Sequence, residues 1–322
     1  MILLIGEKID PTLDEICRWL NYYKKTWKRI NDVDETTILN LCISNEEINF
    51  TLLFNNDIVT YKEIKSVYYR RGIIHIKNDY EKSNTNLSYY LKQESYNLIN
   101  FIHILLEKKP SIGKFQMFGP NKLKVLFEAK KVGLNIPSTF ISNNKKDYIN
   151  QSKKHKSLIT KAIYEAFSFK SEDGMVGVSF PTSLVNEFDI KKMKDNFLYT
   201  LFQENITKTF EIRSFFLDGS IFSMAILSQK NNKTEIDYRN YDDKLPNRRI
   251  PISLPINIEK KLKKLMNNLK YNIGCIDLIY SKNEFVFLEI NPVGQYGMVS
   301  EPCCYELEKE VAIKLIKLAD GE

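Results

Sequence analysis

Two apolar stretches near the end of the sequence carry the side chains best suited to binding a metal ion. Asp277 stands inside the run Cys-Ile-Asp-Leu-Ile, and Glu289 and Asn291 follow in Phe-Leu-Glu-Ile-Asn-Pro. Alternate residues of a β-strand share a face, so Glu289 and Asn291 point the same way while Leu288 points into the core. If the two stretches form a hairpin, Asp277 lies across from them, and three oxygen-bearing side chains on a sheet suit Mg²⁺. The alternative is a pair of edge strands with solvated polar faces, although an acidic residue inside an apolar strand is costly without a partner.

Two lysines occupy positions that suit the binding of phosphate groups. Lys161 lies in an apolar, strand-like stretch, where a buried ammonium needs an anionic partner such as a nucleotide phosphate. Lys122 lies at the start of a predicted helix, and a helix N-terminus with an ammonium favours phosphate. Gly174 and Gly177 lie in a turn-rich loop whose backbone could approach phosphates closely. A lysine of this kind taken alone is more often a solvated residue, whereas the two lysines together with the glycine loop favour a phosphate site.

A stretch of large apolar residues ends in the run Gln203-Glu204-Asn205-Ile206. Backbone groups at this point could read the edge of an adenine held in an apolar slot. The alternative is an ordinary exit from a strand into a loop.

Arginines and one further carboxylate complete the candidate residues. Glu211 and Arg213 share one face of the next predicted strand, and Arg239 is followed by Asn240. Arginines aimed at a transferring phosphoryl group stabilise its charge. Arg213 and Arg239 could instead form surface ion pairs. Two further basic pairs are expected on the solvated surface: Arg70-Arg71 and Arg248-Arg249.

The composition of the 322 residues favours a globular protein with an anionic ligand. The 47 lysines and arginines exceed the 40 aspartates and glutamates by 7, an excess too small to indicate nucleic-acid binding. No apolar run approaches the ~18 residues of a membrane span. Five cysteines without a CxxC pair and three scattered histidines argue against a disulfide framework, a zinc site or a histidine-based triad. We therefore expect a cytoplasmic protein with no membrane or nucleic-acid partner.

The apolar patterns mix strands and helices irregularly, so the expected fold class is α/β or α+β, and the length indicates two or three lobes. Strands are predicted at residues 2–5, 38–43, 48–54, 66–69, 139–141, 157–162, 176–180, 197–203, 211–217, 221–227, 275–280 and 285–290. Helices are predicted after Asp10-Pro11, at residues 86–108, between Asn121 and Gly133, and at residues 145–154, 258–269 and 311–318.

The order of the candidate residues resembles that of the ATP-grasp ligases over residues 119–300. It is similar to the ribosomal-protein glutamate ligases, and more so to the grasp-with-spasm maturases, which crosslink side chains of ribosomally made peptides called graspetides. Four runs carry this closer resemblance and extend it to most of the chain: Ser-Val-Tyr-Tyr-Arg-Arg at 66–71, Asp-Tyr-Arg-Asn at 237–240, Asn247-Arg248, and Leu-Glu-Ile-Asn-Pro-Val-Gly-Gln-Tyr-Gly-Met-Val-Ser at 288–300.

The resemblance implies a role for each matching residue. The implied ATP contacts are Lys122 and Lys161 to the phosphates, Glu204 and Ile206 around the adenine with Gln203 beside them, and Glu211 to the ribose. Arg213, Arg239 and Asn240 face the γ-phosphate and an acyl phosphate, and Asp277, Glu289 and Asn291 hold Mg²⁺. The loop at residues 172–177 has fewer glycines than in many relatives, so its residues receive no role.

The resemblance also implies a three-domain ATP-grasp fold: an N-terminal α/β domain at residues 1–115, a central domain at 116–198, and a C-terminal domain at 199–322 that carries the metal site. ATP lies between the last two domains. The implied enzyme is a homodimer that converts Asp or Glu side chains of a precursor peptide into acyl phosphates, which Thr, Ser or Lys side chains attack to give esters or amides. Two alternatives stay open: a ligase that adds an amino acid to a protein or peptide end, and a non-catalytic peptide- or nucleotide-binding module.

Overall fold

The computed structural model describes residues 1–77, 85–117, 119–164, 168–170, 177–179, 182–228 and 247–322. The chain forms two compact units, Met1–Phe118 with Gln295–Glu322, and Gly119–Gly294. The three-domain boundaries given above stay a prediction. None of the described helices combines the length and apolar character needed to cross a membrane, and none of the five cysteines forms a disulfide.

The first unit begins with a buried strand that enters a well-capped helix. All five residues of the first strand are buried. Asp10 caps the following helix by accepting a hydrogen bond from the Leu13 amide at 3.2 Å, and Pro11 occupies its first turn. The elements of this segment are β1 (Ile2–Gly6), α1 (Pro11–Tyr22), β2 (Trp27–Asn31), β3 (Glu35–Ile43), β4 (Ile48–Phe54), β5 (Asp57–Thr60), β6 (Ser66–Tyr69), β7 (His75–Ile76), α2 (Thr85–Leu106) and β8 (Ser111–Ile112).

These strands form two sheets. The order β2-β1-β6-β8 is parallel throughout, whereas β5-β4-β3-β7 is antiparallel except for the parallel pair β3–β7. Apolar residues of β1, β4, β6 and the end of α2 pack together as one core. A parallel sheet buried on both faces explains why β1 reads as a continuous apolar run.

The second unit starts with a helix and a four-stranded antiparallel sheet. Asn121 caps α3 through the Lys124 amide at 3.0 Å. The sheet has the order β13-β10-β14-β9, and Tyr148, Leu158 and Phe202 form a small core on it. The elements are α3 (Lys122–Lys131), β9 (Thr139–Asn144), α4 (Lys145–Ser152), β10 (Leu158–Lys161), β11 (Ser168–Lys170), β12 (Gly177–Ser179), β13 (Ser183–Leu184), α5 (Glu187–Lys192) and β14 (Asn196–Glu204).

The second unit continues with a five-stranded antiparallel sheet of order β17-β16-β15-β18-β19. One face of this sheet, including Ile212, Ile276 and Phe287, packs in a core with α3 and α6. The opposite face carries the candidate polar residues, because alternate residues of a strand point to opposite faces. The elements are β15 (Phe210–Leu217), β16 (Ser220–Leu227), β17 (Arg248–Ile252), α6 (Ile256–Leu269), β18 (Ile273–Ser281) and β19 (Glu284–Asn291).

Two final helices, α7 (Gly297–Cys303) and α8 (Leu307–Asp320), return the chain to the first unit. The mixed helices and strands confirm the expected fold class. The predicted strands and helices are present, with ends that differ by a few residues; of the strand expected at 176–180, the described residues 177–179 form β12. Short edge elements such as β2, β8 and α5 carry too few apolar residues for periodicity to reveal them.

The prediction that Arg70 is solvated is wrong. Arg70 is only 4% exposed, and its Nε lies 3.0 Å from Oδ2 of the buried Asp10. The guanidinium carbon lies 5.2 Å from the ring centre of Tyr296, whose hydroxyl is 3.1 Å from that of Tyr68. Burial raises the pKa of Tyr68 to about 12, so both hydroxyls stay protonated at neutral pH. Arg71 is half-buried and lies 3.8 Å from Glu7, whereas Arg248 is exposed on the edge strand β17.

Candidate active site

A cavity lies in the second unit between the four-stranded and the five-stranded sheets, with about 660 Å³ of space that includes its opening to solvent. Seven of the predicted site residues line it: Lys161, Gln203, Glu204, Ile206, Glu211, Asp277 and Glu289.

Three predicted residues form one row across the five-stranded sheet. Arg213 of β15 is paired in register with Asp277 of β18, which is paired with Glu289 of β19. The Arg213 Nη1 donates to both carboxylate oxygens of Asp277 at 3.0 Å. The uninterrupted register of β15 confirms the prediction that Arg213 shares a strand face with Glu211. Because Arg213 is buried, the alternative of a surface ion pair is wrong. The hairpin that was predicted to bring Asp277 opposite Glu289 is also confirmed.

A β-bulge shapes this part of the cavity wall. The pairing of β18 with β19 shifts between Asp277 and Leu278, so that Leu278 faces Phe287 and Leu288 becomes the extra residue. Leu288 was predicted to point into the core, but it is only partly buried and lines the cavity beside Glu289. The strict alternation assumed for that strand is therefore wrong at this residue, because the bulge inserts one residue into the register.

The two candidate phosphate lysines have different partners, one of which is the backbone next to the other lysine. The Lys161 ammonium, on β10, lies 3.8 Å from Oε2 of Glu289, with side chains 11% and 23% exposed. The Lys122 ammonium, at the start of α3, donates to the carbonyl of Ala162 at 3.2 Å. Lys122 thus reaches the residue next to Lys161, although it does not line the cavity itself.

The end of β14 forms the side of the cavity that was predicted to hold an adenine. Gln203 is buried, and its amide nitrogen donates to Thr139 Oγ1 at 2.9 Å. The Glu204 amide donates to the Ser138 carbonyl at 2.8 Å, which fixes the strand end. Ile206 and Ile159 add apolar surface to the wall. A flat apolar base fits such a surface, with polar groups at its edge.

Lys208 is a buried cavity residue that the sequence analysis did not single out. Its ammonium lies 2.6 Å from Oε1 of Glu211, and Ser228 Oγ donates to the same oxygen at 3.1 Å. Lys208 stands in an irregular segment between two strands, where no periodic pattern indicates which side chains are buried. A lysine three residues before a strand acid was the only signal, and such pairs are frequent on surfaces.

Besides Lys122, two predicted residues among the described ones do not line the cavity, and two more lie outside the described residues. Asn291 is on the same strand as Glu289 and pairs with Cys275 of β18, and Arg213 lies beside Asp277 on the neighbouring strand. Arg239, Asn240 and the loop at residues 172–176 lie outside the described residues.

No protein-family model and no curated protein sequence matches the chain. Solved structures do match it over nearly its whole length. The macrocyclase MdnC of Microcystis aeruginosa MRC, bound with precursor peptide MdnA, has a TM-score of 0.81 at 23% identity, covering 98% of this chain and 100% of that one. The RiPP-associated ATP-grasp ligase of Chryseobacterium gregarium, in complex with ADP and a leader and core peptide, reaches 0.84 at 23% identity, covering 99% and 96%. The chain has the ATP-grasp fold. The ATP-grasp ligase PsnB, complexed with minimal precursor, Mg and ADP, is similar at a TM-score of 0.73 and 14% identity, covering 99% and 97%.

The side chains of this ATP-grasp chain fit the Mg²⁺ that its fold implies. Asp277 and Glu289 present carboxylates from adjacent strands into one cavity, and Asn291 lies on the same strand as Glu289. Mg²⁺ is usually bound by one or two carboxylates together with phosphate oxygens and water. Among the described residues no three or more His, Cys, Asp or Glu side chains gather into a metal site, so water or phosphate oxygens would complete this donor set.

Proposed function

We propose that the chain is an ATP-dependent peptide maturase that joins acidic side chains of a ribosomally made peptide to its own Thr, Ser or Lys side chains. A carboxylate of the peptide attacks the γ-phosphorus of ATP, which gives an acyl phosphate and ADP. A hydroxyl or amine of the same peptide then attacks the acyl carbon, loses its proton and expels phosphate. The product is an ester or an amide.

One observation carries the ATP-dependent part of the proposal. Lys161 lies beside Glu289 in the cavity, and Asp277 and Glu211 line the cavity from the same five-stranded sheet as Glu289. A cation for phosphate, carboxylates for a metal and a carboxylate for a ribose are thus gathered in one cavity. The ATP-grasp fold of the chain agrees with the binding of ATP in this cavity.

Each residue has a distinct task in the proposed reaction. Lys161 and Lys122 bind phosphate oxygens, and Arg213 stabilises the charge that spreads over the transferring phosphoryl group. Asp277, Glu289 and Asn291 would hold Mg²⁺, which supplies charge neutralisation for the phosphates when it is bound. The apolar side chains Ile159, Ile279 and Leu288 limit water in the cavity, which protects an acyl phosphate from hydrolysis. Arg239 and Asn240 keep their predicted role beside the γ-phosphate.

The peptide part of the proposal rests on two kinds of support. The sequence runs at 66–71, 237–240 and 288–300 resemble those of peptide-crosslinking maturases. Similar solved structures contain a precursor peptide, as in MdnC, or a leader and core peptide, as in the Chryseobacterium gregarium ligase. The homodimer and the three domains implied by the resemblance belong to the same proposal, as does a cytoplasmic location, where ATP and newly made peptides are present. Light scattering of the purified protein tests the homodimer.

The experiment that tests the proposed function is incubation of the purified protein with ATP, Mg²⁺ and the short peptides encoded next to its gene. Each ring should lower the peptide mass by one water and consume one ATP, as measured by mass spectrometry and an ADP assay. Esters should reopen in mild base, whereas amides should survive. A mass gain equal to an amino-acid residue would favour the amino-acid ligase, and ATP binding without ADP formation would favour the non-catalytic module.

The double variant Glu289→Gln with Asn291→Ala tests the metal ligands within this proposal. Loss of both donors should abolish ADP formation, because Mg²⁺ would keep only Asp277 as a protein ligand. Glu284→Gln is a matched control, since Glu284 is an exposed residue of the same strand whose carboxylate accepts a hydrogen bond from Asn135 at 3.2 Å. Normal turnover in the double variant would show that the metal assignment is wrong.

A further inference from the structure

Lys208 and Glu211 form a buried ion pair in the wall of the cavity. Their side chains are 5% and 9% exposed, and the two charged atoms are 2.6 Å apart. Both residues line the cavity. A lysine is almost never buried without a partner, and a buried pair is held by hydrogen bonds as well as by charge.

The backbone around Lys208 is fixed on both sides. The Thr207 carbonyl accepts a hydrogen bond from Ser281 Oγ at 2.6 Å, and the Thr209 amide donates to the Tyr280 carbonyl at 2.8 Å. The backbone segment that carries Lys208 is therefore hydrogen-bonded to the end of β18. This attachment places the ammonium at a defined point, although the segment belongs to no helix or strand.

The Glu211 carboxylate is oriented by two donors on one oxygen. Oε1 accepts from the Lys208 ammonium and from Ser228 Oγ at 3.1 Å. These two bonds restrict the rotation of the carboxylate. A carboxylate with a fixed rotation can accept hydrogen bonds from two neighbouring hydroxyls at once, whereas a rotating one must be ordered first.

We propose that Lys208 is a positioning residue that orients Glu211 for the ribose hydroxyls of the nucleotide, and thereby makes the site selective for ribonucleotides over deoxynucleotides. This inference rests on the proposed function, because it presupposes that ATP occupies the cavity. Lys208 acts through Glu211. The alternative is direct contact between Lys208 and a phosphate.

The test compares binding of ATP, 2′-deoxy-ATP and 3′-deoxy-ATP by calorimetry. Wild-type protein should bind ATP at least about tenfold more tightly than either deoxynucleotide, since a buried acceptor is left unpaired when a hydroxyl is missing. Lys208→Met should reduce this ratio to less than about threefold, and Glu211→Gln should do the same. The double variant Lys208→Met/Glu211→Gln should be no worse than either single variant, because residues that act as one unit are not additive.

Lys208→Arg and Lys208→Gln keep the test decisive if Lys208→Met does not fold, which thermal unfolding will show. Lys208→Arg retains a charged donor and should keep most of the preference for ATP, whereas Lys208→Gln should lose most of it. Equal weakening of all three nucleotides in the lysine variants would overturn the inference and indicate direct phosphate contact. An unchanged ratio, or a wild-type protein that binds ATP without discrimination, would also overturn it. A wild-type protein that binds none of the three nucleotides would refute the proposed function itself.

Discussion

Replacing Lys161 by methionine should change metal binding and nucleotide binding in opposite directions. In the structure the Lys161 ammonium is 3.8 Å from the Glu289 carboxylate, which is a proposed metal ligand. A divalent cation must therefore compete with this ammonium for Glu289. Without the lysine the competition disappears, and a metal ion should bind more tightly. ATP should bind more weakly, because a phosphate contact is lost.

The magnitude follows from the distance and the burial of the pair. Two unit charges about 4 Å apart interact by about 4 kcal/mol at an effective dielectric constant near 20. Solvent screening reduces this energy, since the two side chains are 11% and 23% exposed. A net gain of roughly 1–2 kcal/mol remains for the metal ion. This corresponds to about a tenfold lower dissociation constant for the metal, since 1.4 kcal/mol equals a factor of ten.

The assay measures Mn²⁺ binding in the absence of nucleotide, by the electron paramagnetic resonance signal of the free ion at constant ionic strength. A separate titration without metal measures ATP affinity. Lys122→Met is a matched control, because the Lys122 ammonium donates to the Ala162 carbonyl and has the same proposed phosphate role. It should weaken ATP binding without the tenfold gain for Mn²⁺.

Two results would refute this reasoning. If Lys161→Met leaves Mn²⁺ affinity unchanged while Glu289→Gln lowers it, the ammonium does not compete for that carboxylate. If Lys161→Met still raises Mn²⁺ affinity when Glu289→Gln is already present, the effect comes from general charge and not from the pair. A variant that merely unfolds would lose both affinities, so opposite changes cannot arise from loss of structure.

Two further predictions concern other residues. Arg213→Ala should lower the rate at saturating ATP by ~10²–10³-fold with a smaller loss of ATP affinity, because the variant removes a charge-stabilising donor that also hydrogen-bonds Asp277. Steady-state kinetics measure both quantities. A normal rate at saturating ATP together with a large loss of ATP affinity would assign Arg213 to binding alone. Burial lowers the pKa of His103 to about 4, below the value of about 6.5 expected in the unfolded chain. As the pH falls, His103 is therefore protonated in the unfolded chain before it is protonated in the folded protein. Above pH ~6.5 this difference does not affect stability. Between pH 7 and 5 it lowers the free energy of unfolding by about 2 kcal/mol, and the loss continues towards pH 4. Urea unfolding at pH 7 and 5 should show this loss of stability in wild-type protein and in the control His75→Gln, whereas His103→Gln should show a smaller loss. An equal loss between the two pH values in all three proteins would contradict the assignment.

The sequence predicts those parts of the site whose placement depends on strand periodicity. The alternation along residues 275–291 places Asp277 and Glu289 on one face, and the structure pairs them directly. The pairing of Lys161 with an anion is predictable for the same reason, because a partly buried lysine on the strand β10 needs an anionic partner. In both cases the local pattern and the tertiary contact agree.

The features that escape prediction depend on partners distant in the sequence. Leu288 lines the cavity because a bulge interrupts β19, and a bulge leaves no periodic trace in one sequence. Arg70 is buried because Asp10, sixty residues earlier, lies beside it, and Tyr296 covers it from the other end of the chain. Lys208 is buried through attachments to Tyr280 and Ser281. Residue type alone favours exposure for both basic side chains.

The run at residues 288–300 serves both units of the chain. Glu289 lies in the cavity of the second unit, whereas Tyr296 is fully buried in the first unit against Tyr68 and Arg70. Tyr68 and Arg70 belong to the run at residues 66–71 that carried the resemblance together with 288–300. The structure therefore explains one part of that resemblance by packing and the other by the chemistry of the site.

The ion pairs of the cavity predict that nucleotide and metal help each other to bind. Lys161 lies beside the Glu289 carboxylate in the structure and binds a phosphate in the proposed complex. When a phosphate draws the ammonium away, Glu289 gains acceptor capacity for a metal ion, and the metal in turn releases the ammonium for the phosphate. By thermodynamic linkage Mn²⁺ should raise ATP affinity by the same factor by which ATP raises Mn²⁺ affinity, and couplings of this kind are typically about 5- to 150-fold. Lys161→Met should reduce the coupling that passes through the pair and leave the part due to direct contact between metal and phosphate, so a coupling of unchanged size in that variant would show that the ammonium is not the link.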